Sequence, residues 1–332
     1  RALNIVGDYH SMAPWEQKAV QVLPFYRWCV DEQTEALTQR GWVSGHDITT
    51  DDIILSMDPA DGRLKWSPVR SIYCEGDYDG PMHRVRNQGI DALVSPGHSF
   101  LTQRGLVKIE DLRQRDVIRL MGDEAPDGDG RYDDEFVEIV GWAVTEGHYR
   151  KNRITVEISQ KDGTDNAERI AKVLDHYGAT FHTYLGGVDM AIRYFGVGGD
   201  VAKAIRDVAP GRVMTWDFLW GLTAHQRERL IDVMLEADGA HVQRGRGDCP
   251  TFTQKNQAAA EAFVTLCTLA GRQTYMRRDG DCFKVSVRGR KTTGVRRIEG
   301  WADPSNRAPV LAQRPTERYR GLLWCPETAY GT

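Results

Sequence analysis

Two nine-residue stretches, IVGWAVTEG (139–147) and IDVMLEADG (231–239), follow one pattern of apolar and small residues closing on an acidic residue and glycine. They stand about ninety positions apart, and each is followed by a Gln-Lys step, Gln160-Lys161 and Gln254-Lys255. The likeness continues downstream, where ISQKDGTDNAERIAKVLDHYGATF (158–181) aligns with FTQKNQAAAEAFVTLCTLAGRQTY (252–275). A whole unit is therefore duplicated, and the fold must contain two similar halves. Small residues in the first stretch (Gly141, Ala143, Gly147) and the second (Ala237, Gly239) predict two helices packed closely along their axes. That packing brings Glu146 and Asp238 together at the helix ends.

With 332 residues and 41% hydrophobic content, the chain reads as globular, with roughly two domains. No apolar run approaches the ~18 residues of a membrane span. The start RALNIVGDYH lacks a charged region followed by an apolar core, so a cytoplasmic protein with no membrane partner is expected. The six cysteines (Cys29, Cys74, Cys249, Cys267, Cys282, Cys325) show neither CxxC nor paired His spacing, which argues against zinc and against a disulfide framework. A functional thiol here is more naturally a nucleophile than a ligand. The formal net charge of -4 gives no overall pull towards nucleic acid. Local charge does, because residues 272–297 carry nine Lys/Arg against two Asp, with Tyr275 and Phe283 interleaved.

Along the chain, one domain reads as inserted into another. Residues 1–28 form a flank with a helix-compatible stretch over 12–28. Residues 29–121 are strand-like, with short runs such as DIILSM, WSPVRSIY and MHRVRN broken by turn signals. The acidic, Gly-rich segment 122–135 reads as a linker. The duplicated unit is expected over 136–301, as repeats of about 136–210 and 211–300. A second linker at 302–309 opens the last segment, 302–332, which returns to strand character. There YRGLLWCP (319–326) echoes YDGPMHRV (78–85), as if two halves of one β-domain had been separated by the insertion.

The duplicated unit resembles the double-motif LAGLIDADG homing endonucleases. The resemblance implies an α/β domain with pseudo-twofold symmetry that cuts double-stranded DNA at the seam between its halves. Glu146 and Asp238 would hold Mg2+ or another divalent cation, with phosphates and waters completing the oxygen shell. Lys161 and Lys255 would stabilise charge at the two scissile phosphates, and Gln160 and Gln254 would position water. Antiparallel sheets would lie in the major groove. Their basic residues are Arg153 and Arg193 in the first half, with Arg277, Arg278, Lys284, Arg288, Arg290 and Lys291 in the second. Val233 stands where a small residue is expected and Glu146 where Asp is more usual.

The remainder resembles the Hint fold of inteins, a mostly-β, horseshoe-like self-splicing domain. The resemblance rests on CVDEQTEALTQRGW (29–42), GIDALVSPGHSFLTQRG (89–105), LVKIEDLRQRDVI (106–118) and the closing LLWCPETAYGT. It implies that Cys29 attacks the carbonyl of Trp28 in an N-to-S acyl shift, that His98 protonates the departing nitrogen, and that Ser95 holds the scissile peptide. Cys325 would tune the Cys29 thiol or accept the acyl group. No cofactor is implied for splicing. Such inteins end in an Asn step followed by Ser, Thr or Cys. This chain closes on Gly331-Thr332, so the expectation is cleavage at the N-terminal junction, with splicing completed only when the missing strand is supplied. The implied partners are DNA and the flanking host segments (exteins), in a monomer, and the tail is similar to inteins of phage DNA-packaging and replication proteins. Two alternatives stand beside this reading. One is an autoprocessing module with an inert insert, and the other a DNA-binding protein without catalysis, in which Glu146 and Asp238 only cap helices and the Hint portion is a spare DNA-contacting arm.

Overall fold

The computed structural model describes residues 29–87, 90–150, 154–178, 181–244, 247–289, 291–299 and 316–330. The flank 1–28 with Trp28, the 302–309 segment, Arg153, Arg290 and Gly331-Thr332 lie outside these residues. The chain divides into two compact units, residues 1–125 with 290–332, and residues 126–289.

The first unit contributes β1 (Val30–Asp31), β2 (Glu35–Thr38), β3 (Gly41–Ser44), β4 (Ile53–Met57), β5 (Leu64–Pro68), β6 (Ser71–Asn87), β7 (Ile90–Val94), β8 (Ser99–Thr102), β9 (Gly105–Lys108) and β10 (Val117–Arg119) before the chain leaves it. The second unit begins with α1 (Asp134–Thr145), β11 (Gly147–Tyr149), β12 (Val156–Lys161), α2 (Asp165–His176), β13 (Phe181–Gly186), β14 (Ile192–Val197) and α3 (Gly199–Val208). It continues through α4 (Trp216–Gly221), α5 (Ala224–Asp238), β15 (Gly239–Arg244), β16 (Gly247–Gln254), α6 (Gln257–Leu269), β17 (Gln273–Asp279) and β18 (Cys282–Arg288). The chain then returns to the first unit as β19 (Thr292–Gly294) and β20 (Thr316–Glu327).

Within the first unit, β1, β20, β6 and β7 close a barrel, flanked by sheets ordered β3-β2-β4-β5 and β9-β8-β10-β19. These two sheets are copies of one another. LTQRG occurs at 37–41 and again at 101–105, and each copy ends in the same knot of hydrogen bonds. Arg40 grips the Asp52 carboxylate through Nε and Nη2 and reaches the Asp47 carbonyl. Arg104 grips Asp116 and reaches the Asp111 carbonyl in the same way. The Val69 and Val295 amides donate to the Asp52 and Asp116 carbonyls, both at 2.9 Å. Pairing registers agree as well: Thr38 faces Ile54 as Thr102 faces Ile118, and Ile53 faces Pro68 as Val117 faces Gly294. Each copy has its own core, Val43, Ile48, Ile54 and Val69 in one, and Val107, Leu112, Ile118 and Val295 in the other. The echo at 78–85 and 319–326 belongs to this symmetry. β6 and β20 pair antiparallel with Tyr78 opposite Gly321 and Tyr319 opposite Gly80, and the Tyr78 and Tyr319 hydroxyls donate to the carbonyls of Pro81 and Leu322.

This arrangement corrects two expected boundaries. Residues 291–299 belong with the first unit, because Val295 and Ile298 complete its second core. The acidic 122–135 segment is an ordered connection instead of a linker. The Asp123 carbonyl accepts the Leu64 amide, Ala125 is buried, and the Gly128 and Gly130 amides donate to Leu222 and Gly221.

The second unit repeats a helix, a hairpin, a helix and a hairpin, giving sheets β11-β12-β14-β13 and β15-β16-β18-β17 in one strand order. Side-chain caps start its helices where polar residues precede apolar runs. Asp133 accepts from the Phe136 amide, Thr164 from Ala167 and Asn256 from Ala258, while Thr223 and Gln226 form a capping box. α1 is buried from Phe136 through Thr145 and packs along α5. A Cβ at Gly141 would lie 2.8 Å from Cγ1 of Val233, so the glycine makes room for the valine that breaks the small-residue pattern.

Candidate functional site

The site in the second unit is built where α1 and α5 end. Glu146 caps the C-terminus of α1 and Asp238 is the last residue of α5. Both helices turn directly into strands at glycine. A Cβ at Gly147 or Gly239 would lie 2.0 Å from the carbonyl oxygen of Ala143 or Leu235, respectively, so no larger residue fits either turn. The two turns deliver the two carboxylates to one place.

Electrostatics there are unfavourable in three ways. A helix C-terminus carries partial negative charge, which disfavours an acid. Burial disfavours ionisation of both groups, raising the Asp238 pKa and, together with the nearby Asp238 charge, pushing Glu146 up to about 7. Two groups relieve the strain. Gln254 Nε2 donates to Asp238 Oδ2 at 2.6 Å, and the charge of Arg212 opposes both upward shifts. Arg212 Nη1 also donates to the carbonyls of Gly147 (3.0 Å) and Thr145 (3.3 Å), on either side of Glu146. Its backbone lies in the left-handed region, φ 67°, which a non-glycine residue adopts at a penalty. Arg212 is not legible in the sequence, where the single hint is its position in a Pro-Gly-Arg turn ahead of the second acidic-glycine motif.

The remaining predicted residues fall at matching places. Lys161 ends β12 and Lys255 follows β16, and both are exposed. Gln254 touches Asp238, whereas the Gln160 side chain accepts the amide of Lys161 at 2.9 Å. The halves are therefore alike in backbone and unlike in how each glutamine is used. Further along the helix pair, Glu138 is buried and ion-paired with Arg169 and Arg229, which clamps the α1–α5 seam to α2.

Register separates the two sheet faces. On the second sheet Tyr275, Arg277, Lys284, Ser286 and Arg288 share the face away from the core. Arg288 sits over the Tyr275 ring at 5.7 Å, and Lys284 pairs with Asp279 at 2.6 Å. Arg278 is opposite Phe283, on the other face, and donates to the Gly280 carbonyl. On the first sheet the outer face carries a stacked ladder of His182, Tyr184 and Tyr194. Arg193 does not join it. Alternation along β14 puts Arg193 on the side of Phe195 and Val197, where Asp162 takes its guanidinium at 2.6 Å. Lys291 belongs to the first unit, bonded to Asp123 at 2.9 Å.

In the first unit, Cys29 and Cys325 are both buried in one cluster with Met82, Leu93 and Leu323. The Ser95 amide donates to the Cys29 carbonyl at 3.0 Å, the His98 amide donates to the Ser95 carbonyl at 3.0 Å, and the His98 ring packs on Phe100. The structure thus brings Cys29, Ser95 and Cys325 together, with His98 one turn beyond Ser95.

A hard divalent cation fits the Glu146 and Asp238 pair, since two oxygen donors that repel each other gain from a shared cation. Among the described residues no group of three His, Cys, Asp or Glu side chains is placed to hold a metal. Nor is any described helix long and apolar enough to cross a membrane.

No protein-family model matches the chain. Two curated proteins are similar over part of it. A ribonucleoside-diphosphate reductase subunit beta of Aquifex aeolicus is 27% identical over 159 residues, 43% of this chain and 23% of that protein. An ATP-dependent Clp protease proteolytic subunit of Chlamydomonas moewusii is 33% identical over 70 residues, 21% of this chain and 7% of that protein. The chain thus spans less than a quarter of either relative. Among solved structures, I-DmoI in complex with DNA and Mn is similar over 47% of this chain and 89% of its own, with 11% identity and a TM-score of 0.37. The N-terminal LAGLIDADG domain of DUF199/WhiA is similar over 47% of this chain and 76% of its own, with 6% identity and a TM-score of 0.35.

Proposed function

We propose that the second unit is a LAGLIDADG endonuclease that cuts double-stranded DNA with Glu146 and Asp238, and that it is carried inside an intein formed by the first unit. The observation that carries this reading is the pair of half-buried acids at the C-termini of two packed helices. Three separate electrostatic penalties converge on them, and folding alone has no use for such an arrangement. This argues against the alternative in which they serve only as helix caps, since acids stabilise the opposite helix end. A divalent cation bound there would supply charge neutralisation at the leaving 3′ oxygen and an activated water. The chain's own residues do the rest. Arg212 and Gln254 partly offset the upward pKa shifts of the carboxylates and orient them, while Lys161 and Lys255 each stand at the end of an equivalent strand, one for each DNA strand. Arg277, Lys284 and Arg288 offer cations on one sheet face for phosphates and base edges. The DNA target is the host gene lacking the insertion, roughly twenty base pairs long.

The test is linearisation of a circular DNA bearing the host gene with this chain's coding segment deleted. Wild-type protein with Mg2+ should linearise it, and Glu146→Gln and Asp238→Asn should each lower the rate at least ~100-fold. Unchanged cutting by either variant would sink the assignment.

The autoprocessing half has its own support. Cys29 and Cys325 share a buried cluster, and the Ser95 amide binds the carbonyl of Cys29 itself, which ties the scissile region to the turn holding His98. Partial matches to two proteins of unrelated printed activity are what an inserted element would produce. In this reading the exteins are the flanking host segments, a phage protein is a fitting host, and the chain acts as a monomer in the cytoplasm. Dithiothreitol should release residues 1–28 from the wild-type chain and not from Cys29→Ala. Equal release from both, or release from neither, would leave an inert β-domain around the endonuclease.

A further inference from the structure

The two copies of the β-module in the first unit act as controls for each other. A residue the fold requires recurs in both, as Arg40 and Arg104 do. An open cleft of about 830 Å³ in the second copy is lined by Arg115, Arg296 and Arg297 together with Gln114 and Asp116. All three arginines are exposed, and among the described residues none of them makes an ion pair. Several other arginines of this unit are neutralised, Arg40 by Asp52, Arg84 by Glu317 and Asp91, Arg119 by Asp123, and Arg318 by Asp79, while Arg63 and Arg70 of the first copy stand exposed like the three in the cleft but are not gathered around one opening. The acid in the cleft, Asp116, is already held by two bonds from Arg104.

The repeat alignment sharpens the contrast. The register that equates Ile53 with Val117 and Pro68 with Gly294 equates Arg115 with Asp51, Arg296 with Arg70 and Arg297 with Ser71. The three positions sum to zero charge in the first copy and to three positive charges in the second. Since the first copy folds without that charge, Arg115 and Arg297 are not there for folding.

We propose that this cleft is a phosphate-binding surface that seats the backbone of duplex DNA, so that the first unit contributes to DNA affinity. Three guanidiniums around one opening, with no carboxylate partner among the described residues, are the donor set that phosphate oxygens take. Duplex DNA is chosen over other polyanions because the second unit reads as a DNA endonuclease, and the proposal rests on that reading.

The test is binding of the full chain to fluorescent duplex DNA without divalent cation, over 50–200 mM salt. The double variant Arg115→Asp/Arg297→Ser installs the first copy's residues. It should lower affinity at least ~10-fold at low salt and reduce the salt slope by roughly two, since each phosphate contact contributes about 0.9. Arg115→Lys/Arg297→Lys should keep the wild-type slope. Arg63→Ser/Arg70→Asp removes the same three charges from the first copy and should change binding far less. Equal losses from the two charge-removing pairs, an unchanged slope in the first, tighter binding of an RNA hairpin than of the duplex, or a wild-type chain that binds no duplex would each overturn the proposal. Arginine-dependent binding by a chain that never cuts would support this cleft while removing the endonuclease reading.

Discussion

Glu146 ties the chemistry of the seam to the stability of the fold. Its folded pKa of about 7 lies above the ordinary 4.5. Stability linked to its proton is therefore complete below about pH 4.5 and is lost as pH rises through 7. Without divalent cation, Glu146→Gln should match the wild type near pH 4 and exceed it by on the order of 2 kcal/mol at pH 8 in urea unfolding. A wild-type advantage at pH 8 would show that the carboxylate is a stabilising cap. Arg212 makes the complementary prediction. Arg212→Gly relieves a left-handed backbone yet removes the cation facing both acids. The variant should fold at least as stably as wild type at pH 5, while the cleavage-against-pH curve moves upward, and Arg212→Lys should move it less. A curve that stays in place would reduce Arg212 to a scaffold residue. Both acids were legible in the sequence because each closes a repeated helical pattern. Arg212 was not, since a lone cation in a turn has no periodicity and its role depends on a carboxylate 66 positions away.

Among the elements, the α1–α5 seam depends on a complementary pair. Gly141→Val should destabilise the second unit by about 1–3 kcal/mol through overpacking against Val233, and Val233→Ala on that background should recover part of the loss. A neutral Gly141→Val would mean that the helices are not held at that distance. In the β-modules, Arg40 and Arg104 hold the Asp52 and Asp116 carboxyls below their ordinary 3.8 by hydrogen bonding. Their contribution is present above that value and lost as pH falls through the folded pKa. Asp52→Asn/Asp116→Asn should therefore flatten the acid limb of thermal stability below pH 4. The LTQRG repeat that announces these modules is plain in the sequence. Its closing strand, β19, reads from sequence as part of the inner unit, because the insertion separates it from β10 and leaves a three-residue strand in a basic run. The side of the sheet on which a basic residue falls was illegible for a related reason. Counting cations ignores the period of two along a strand, which sends Arg193 to the core side.

Taken as a whole molecule, the chain is two duplications, one nested inside the other, and the inner one enters between paired strands of the outer. The domain order was readable because strand-like runs end near residue 121 and helical periodicity begins near 136. The exact joints were not, since acidic and glycine-rich composition marks an ordered connection and a free linker equally well. The inner duplication has a functional consequence. If each lysine serves one DNA strand, Lys161→Met and Lys255→Met should each accumulate nicked DNA, in opposite strands, while their combination nicks neither. The most direct measurement follows both strands of an end-labelled duplex spanning the uninterrupted host site, with wild-type protein, Glu146→Gln and Asp238→Asn at pH 8, with and without Mg2+. The expected result is cleavage of both strands by wild type only when Mg2+ is present, and of neither strand by either variant. Cutting that survives both substitutions, or a wild-type chain that leaves both strands intact with Mg2+ present, would contradict the assignment of the seam as a DNA-cleaving centre.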